Sequence, residues 1–150
     1  MKKVDFYQSR KKLLTHWIVA SLVIFVTYFV VARMGRFGAS EGEVWSWLFQ
    51  FILPPLSLMI GVLIVTVTQP PATQEIDSFF FRLALGMSYF FLLLIFLSAF
   101  LVPFMHLQSN ADRIVTEQIP LIKSFKSYDS ILIPVQGLST LTLGLFFSKK

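Results

Sequence analysis

The sequence predicts an all-α integral membrane protein, a single domain (1–150) folded as an antiparallel bundle of four transmembrane helices. Of the 150 residues, 55% are hydrophobic and only 14% are charged, which is too little charge to cover a soluble domain of this size. Four charge-free apolar runs also recur along the chain, and about 20 such residues cross a bilayer. The runs are 13–32, 44–67, 83–105 and 131–147, and they predict transmembrane helices at about 13–32, 44–67, 79–105 and 131–147.

The first helix follows a basic N-terminal segment that includes Lys11 and Lys12. Its apolar run is longer than the 7–15 residues of a signal-peptide core, so we interpret it as an uncleaved anchor. Gly35 and Gly38 follow it, as glycines do at helix C-termini. We expect Lys11 and Lys12 to bind lipid headgroups. The other headgroup anchors that we predict are Arg82, Lys149 and Lys150.

The second helix carries Pro54 and Pro55 close to its midpoint. Two prolines remove two backbone donors, so the carbonyls of Gln50 and Phe51 lose their usual helical partners. Inside hydrocarbon, a neighbouring helix, a hydroxyl group or water must satisfy such carbonyls. A kink packed by neighbouring helices is the favoured interpretation. A hinge or a wet cavity is the alternative.

The loop between the third and fourth helices, residues 107–130, holds Val115, Ile119 and Ile122 at helical spacing, interrupted by Pro120. This spacing is typical of a short interfacial helix that lies on the membrane. A partly helical linker explains the same pattern equally well.

The fourth predicted helix contains Gln136, which lies five residues inside its start, as Gln50 lies six inside the second. In the predicted topology both helices run in the same direction, so the two glutamines lie at nearly one depth, about 8 to 9 Å in. We therefore expect the second and fourth helices to be neighbours. We also expect Gln136 to hydrogen-bond Gln50 or the carbonyls that the prolines free. Pro134 falls in the first turn of this helix, where a missing donor costs little.

A stripe of small residues follows Gln136, with Gly137, Leu141 and Gly144 at spacings of four and three and Thr140 alongside. Small residues on one stripe let helix backbones approach closely, and packing within one copy is the favoured interpretation. Repeated around a symmetric oligomer, the same stripe would line a neutral polar pore.

The distribution of basic residues predicts the orientation. Eight of the thirteen Lys and Arg residues lie in the N-terminal segment, the 68–82 loop or the C-terminal tail. The positive-inside rule then places both termini in the cytoplasm and the protein in the plasma (inner) membrane. Trp17 at one interface, with Trp45 and Trp47 at the other, fits an aromatic belt.

Several chemistries lack the residues that they need. The chain has no cysteine, so thiol chemistry is excluded. The four apolar runs contain no Asp, Glu, Lys or Arg. Proton-coupled pumps and exporters need such residues inside the membrane, so their absence argues against both functions. His16 and His106 should be about 30 Å apart, at opposite ends of the bilayer, and cannot share one metal. We predict no catalytic residue, cofactor, metal or nucleic-acid partner.

Three functions remain, and we expect the chain to be non-catalytic. The favoured one is a subunit or scaffold of a membrane complex, whose partners are the bilayer, other membrane subunits or copies of itself. The alternative is a homo-oligomeric pore or membrane-perturbing effector. The tail, Ile131–Lys150, resembles small multi-span bacterial proteins, some of which act in anti-phage defence. No motif in it is specific enough to assign a role to a residue. A transporter or lipid-handling enzyme is the third.

Overall fold

The structure, a computed structural model, describes the backbone of residues 3–67, 75–110 and 119–148 and the side chains of 7–64, 78–108 and 119–145. The predicted helical class is confirmed, since helices cover nearly all of these residues. The bounds are α1 Phe6–Arg33, α2 Glu41–Val67, α3 Ser78–Asn110, α4 Leu121–Ser127 and α5 Asp129–Ser148. Within the described residues, three segments are long and apolar enough to cross a membrane, Tyr7–Arg33, Gly38–Ile64 and Ser78–Gln108.

A short antiparallel ladder precedes α1 and α3, and the sequence patterns did not predict it. Strand β1 (Lys3–Asp5) pairs with β2 (Glu75–Asp77), and Val4 lies opposite Ile76. Because each strand leads directly into a helix, the N-terminal ends of α1 and α3 lie at the same end of the molecule.

The end of α1 has the hydrogen bonds of a Schellman motif. The Gly35 amide donates to the Ala32 carbonyl at 2.8 Å, and the Arg36 amide donates to the Val31 carbonyl at 3.3 Å. Gly35 has a φ of 72°, a left-handed conformation that glycine adopts without a Cβ clash. The predicted helix end is confirmed at Gly35, whereas Gly38 begins a separate 3-10 turn, Gly38–Ser40.

The tryptophans depart from the predicted aromatic belt. Trp17 is 0% exposed and Trp47 is 4% exposed, so both indoles pack inside the bundle. Trp17 lies against Phe91 of α3, with 6.1 Å between ring centroids. The Trp47 indole N–H donates to Asp129 Oδ1 at 2.7 Å, which gives the buried donor a partner within the protein. Trp45 is half-buried beside Phe25.

The short helix predicted in the third loop exists as α4, but it starts after Pro120, and Val115 lies outside the described residues. Phe125 of α4 is fully buried, 4.9 Å from the Trp47 ring and 6.0 Å from the Phe37 ring between centroids. The apolar side of α4 therefore covers one end of the bundle.

Helix α5 begins earlier than the sequence patterns predicted. Asp129 occupies its first turn, where a carboxylate suits the positive end of the helix dipole. Pro134 is consequently inside the helix, and the placement in the first turn was wrong. Pro103 lies inside α3 in the same way.

Candidate functional site

The proline kink of α2 and the glutamine of α5 meet as predicted. Gln136 Nε2 donates a hydrogen bond to the backbone carbonyl of Gln50 at 3.4 Å. That carbonyl is the one that Pro54, four residues later, leaves without a helical donor. The prediction that Gln136 satisfies a carbonyl freed by the prolines is confirmed. The bond is at the long end of the usual range.

The side chain of Gln50 behaves differently from its backbone. It is exposed and makes no hydrogen bond to any other part of the chain that the structure describes. Gln50 lies six residues inside the apolar run that begins at Val44, about 9 Å along the helix. A primary amide carries two donors and an acceptor, so α2 presents an unpaired polar group within its apolar length.

A line of small and polar residues runs along the exposed side of α2 from Gln50, flanked by exposed large apolar side chains. Pro54, Ser57 and Gly61 follow Gln50 at spacings of four, three and four, and all four residues are exposed. These spacings place them on one face of the helix. Pro55, in contrast, is buried toward the bundle.

The small stripe of α5 begins next to Gln136, which contacts α2 at Gln50. Gly137 is exposed, and Thr140 and Gly144 are half-buried. A Cβ built at Gly137, Gly144 or Gly61 would have no packing neighbour within 4 Å. We call Gln50, Pro54, Ser57, Gly61, Gly137, Thr140 and Gly144 together the association face.

The α5 stripe is divided, because Gly137 is exposed whereas Thr140 and Gly144 are half-buried, and packing of the stripe within one copy stays a prediction. The physical reason is the rotation of α5. Among the described side chains of α5, Leu132, Ser139 and Leu143 are fully buried, and Ser139 Oγ donates to the Met87 carbonyl of α3 at 3.3 Å. Because Gly137 lies on another side of the helix, the bundle leaves it exposed.

Of the predicted headgroup anchors, the described ones are at the surface. Lys11, Lys12 and Arg82 are exposed, whereas Lys149 and Lys150 lie outside the described residues. Lys11 and Lys12 lie near the start of α1 and Arg82 near the start of α3. They share one end of the bundle with the β1–β2 ladder.

The two histidines lie far apart. His16 Nδ1 donates to the Lys12 carbonyl at 2.6 Å, and its ring meets the Tyr89 ring edge-on at 6.0 Å. His106 Nδ1 lies 3.2 Å from Ser124 Oγ. Tyr89 and His106 are about 25 Å apart along α3 at 1.5 Å per residue, so the two imidazoles cannot share an ion. The described residues contain no cluster of three or more potential metal ligands.

Two buried polar contacts were missed by the sequence analysis. One is the Trp47–Asp129 pair. In the other, the Tyr28 hydroxyl lies 2.6 Å from Ser98 Oγ, which donates to the Ile95 carbonyl at 2.6 Å. A tyrosine and a serine within predicted spans were the available signal, because buried hydroxyl groups need partners.

Comparison with models of known protein families, with curated proteins and with solved structures found no match.

Proposed function

We propose that this chain is a non-catalytic subunit or scaffold of a membrane complex, and that it works by lateral association through the association face. The exposed and unpaired amide of Gln50 carries the proposal. An amide left in hydrocarbon without a hydrogen-bond partner is costly, because transfer of an amide from water to an alkane costs about 4–8 kcal/mol. A neighbouring membrane segment that covers this face removes that cost.

The proposal includes a four-span antiparallel bundle. Contacts between helices support it: Phe25 lies 5.5 Å from Phe49 between ring centroids, while Tyr28, one turn later in α1, meets Trp45, one turn earlier in α2. These pairs fit α1 and α2 running in opposite directions. Likewise, Tyr128 of the turn before α5 bonds Met105 near the end of α3, and Ser139 bonds Met87 near its start.

The fourth span is the shortest. The run Ile131–Phe147 is about 25 Å long at 1.5 Å per residue, slightly less than a bilayer core, which local thinning or tilt of neighbours accommodates. The β1–β2 pairing supports placing the N-terminal segment and the loop before α3 on one side. The excess of Lys and Arg in those segments supports placing them on the cytoplasmic side of the plasma (inner) membrane.

The test compares bulky substitutions on and off the face. Gly61→Leu and Gly137→Leu place a large side chain on the association face. Gly86→Leu is the matched control, since Gly86 is also exposed with no packing neighbour within 4 Å, but on α3. The measurement is the size of the complex extracted from native membranes in a mild detergent. We expect smaller complexes for Gly61→Leu and Gly137→Leu only. A monomeric wild type, or three identical profiles, overturns the proposal.

A homo-oligomeric pore is the second candidate, because the uncharged polar groups of Gln50, Ser57 and Thr140 share the face. Arranged around a central axis, these groups would line a neutral polar path rather than a charge-selective one. Purified protein in vesicles distinguishes the two candidates. Ion or dye leakage that Gly137→Leu abolishes assigns the pore, whereas sealed vesicles with intact complexes favour the subunit or scaffold.

A further inference from the structure

We propose that the association face binds a second copy of this chain, and that the Gln50 side-chain amides of the two copies exchange hydrogen bonds. This inference rests on the proposed function, since it names the partner of the same face. The inference rests on a difference between the backbone and the side chain of Gln50. The backbone carbonyl is taken by Gln136 of the same copy, which leaves the exposed side-chain amide for a partner.

The chemistry of the amide selects a second copy. Two copies inserted in the same orientation place Gln50 at the same depth, and a twofold axis along the membrane normal brings the two side chains together. Each amide then donates one hydrogen bond and accepts another, because a primary amide is self-complementary. An unrelated chain fits only if it carries a polar group at that depth.

The charge pattern points to the same occupant. No charged residue occurs from Val44 to Val67, so two identical α2 helices meet without like-charge repulsion along the apolar length. A chain with an intramembrane charge would find no counter-charge there.

Small residues further along the face allow a second helix to approach closely. Ser57 and Gly61 lie two and three turns further along the same side of α2, and Gly61 has no packing neighbour within 4 Å. Small residues beside a hydrogen-bonding side chain are the usual composition of contacts between transmembrane helices. The exposed Pro54 lies between Gln50 and Ser57 on this side.

The experiment uses the purified full-length chain in vesicles of phosphatidylethanolamine and phosphatidylglycerol. Energy transfer between donor- and acceptor-labelled copies is measured as lipid dilutes the protein. Gln50→Leu removes the amide, and Gln50→Asn keeps a shorter one. Gln108→Leu is the control, because it removes an exposed glutamine at the far end of α3.

We expect Gln50→Leu to weaken association by about threefold to thirtyfold, as measured for hydrogen bonds between membrane helices. The association of Gln50→Asn should be intermediate between Gln50→Leu and the wild type, and Gln108→Leu should associate as strongly as the wild type.

A second readout is disulfide cross-linking, which the cysteine-free sequence permits. Mild oxidation should link copies of Ser57→Cys and leave copies of Gly86→Cys unlinked.

A wild-type chain that stays monomeric, or a Gln50→Leu variant that associates like the wild type, overturns the second copy as partner. The proposed function survives that result if Gly61→Leu and Gly137→Leu still shrink complexes taken from native membranes, since the partner is then a different chain. If those variants also behave like Gly86→Leu, both proposals fail.

Discussion

Gln136 of α5 donates a hydrogen bond to the backbone carbonyl of Gln50, the α2 carbonyl that Pro54 leaves without a helical donor. The proline thus creates an acceptor inside an apolar helix, and a neighbouring helix supplies the donor. The contact joins α2 to α5. The association face takes its residues from these two helices.

We predict that Gln136→Leu lowers the free energy of unfolding by about 0.6–2 kcal/mol, the range for hydrogen bonds between membrane helices. Pro54→Ala restores an amide at residue 54 that donates to the Gln50 carbonyl. In the Pro54→Ala background, Gln136→Leu should therefore cost much less. Unfolding by SDS titration in mixed micelles measures all four members of this double-mutant cycle.

Gln50→Leu is the control for that cycle. Since the acceptor is the backbone carbonyl of Gln50 and its side chain is exposed, the substitution should leave the stability of a single copy within about 0.5 kcal/mol of the wild type. A loss as large as that of Gln136→Leu would show that the side chain takes part within the copy. Additive effects of Gln136→Leu and Pro54→Ala would contradict the role given to the proline.

The sequence was sufficient to predict the Gln136–Gln50 contact because the predicted topology has the two helices running in the same direction, and depth then follows from counting residues. It was insufficient to predict which way the α5 glycines face. The rotation of α5 follows from Leu132, Ser139 and Leu143 together packing against the bundle. Hydropathy does not distinguish the buried side from the lipid side in a helix that is apolar all round. The buried Trp47 escaped prediction for a similar reason, since its partner Asp129 lies 82 residues away.

A second prediction concerns the Trp47–Asp129 hydrogen bond, which is short at 2.7 Å and partly buried. Asp129→Ala should lower the free energy of unfolding by about 1.5–3 kcal/mol, the range for hydrogen bonds to charged groups. Asp129→Asn should cost less, because its side-chain oxygen still accepts from the indole. Thermal unfolding in detergent, followed by circular dichroism, ranks the variants.

Trp47→Phe separates the two roles of Asp129. It removes the indole donor while keeping a large aromatic ring in the core. The remaining cost of Asp129→Ala in this background is then the helix-dipole contribution, about 0.3–1 kcal/mol. If Asp129→Ala still costs about 1.5 kcal/mol or more in the Trp47→Phe background, the hydrogen bond contributes nothing to stability.

A third prediction concerns α4 and the aromatic cluster that it completes. Phe125→Ala should lower the free energy of unfolding by about 3–5 kcal/mol, because the ring is fully buried and its removal leaves a cavity beside Trp47 and Phe37. Phe104→Ala is the control, since Phe104 is 66% exposed and should change stability by less than about 0.5 kcal/mol. Equal effects would mean that α4 does not pack on the bundle.

The last prediction tests the four spans and their orientation with single cysteines, which the cysteine-free chain permits. Ala39→Cys and Ser127→Cys lie in exposed positions after α1 and at the end of α4, while Gln8→Cys and Ser148→Cys lie near the two termini. None of the four changes the charge balance that sets orientation. A membrane-impermeant maleimide should label positions 39 and 127 in intact cells, and positions 8 and 148 only after the membrane is opened.

Each alternative topology gives a different labelling pattern. If α5 lies on the outer surface instead of crossing, Ser148→Cys labels in intact cells together with Ser127→Cys. If the orientation is reversed, the labelled and protected pairs exchange. The β1–β2 ladder restricts the topology further. It holds the segments before α1 and α3 together on one side of the membrane. An even number of spans must therefore separate these two segments. A cysteine at position 8 and one at position 78 (Ser78→Cys) must therefore share one accessibility, whichever side of the membrane that is.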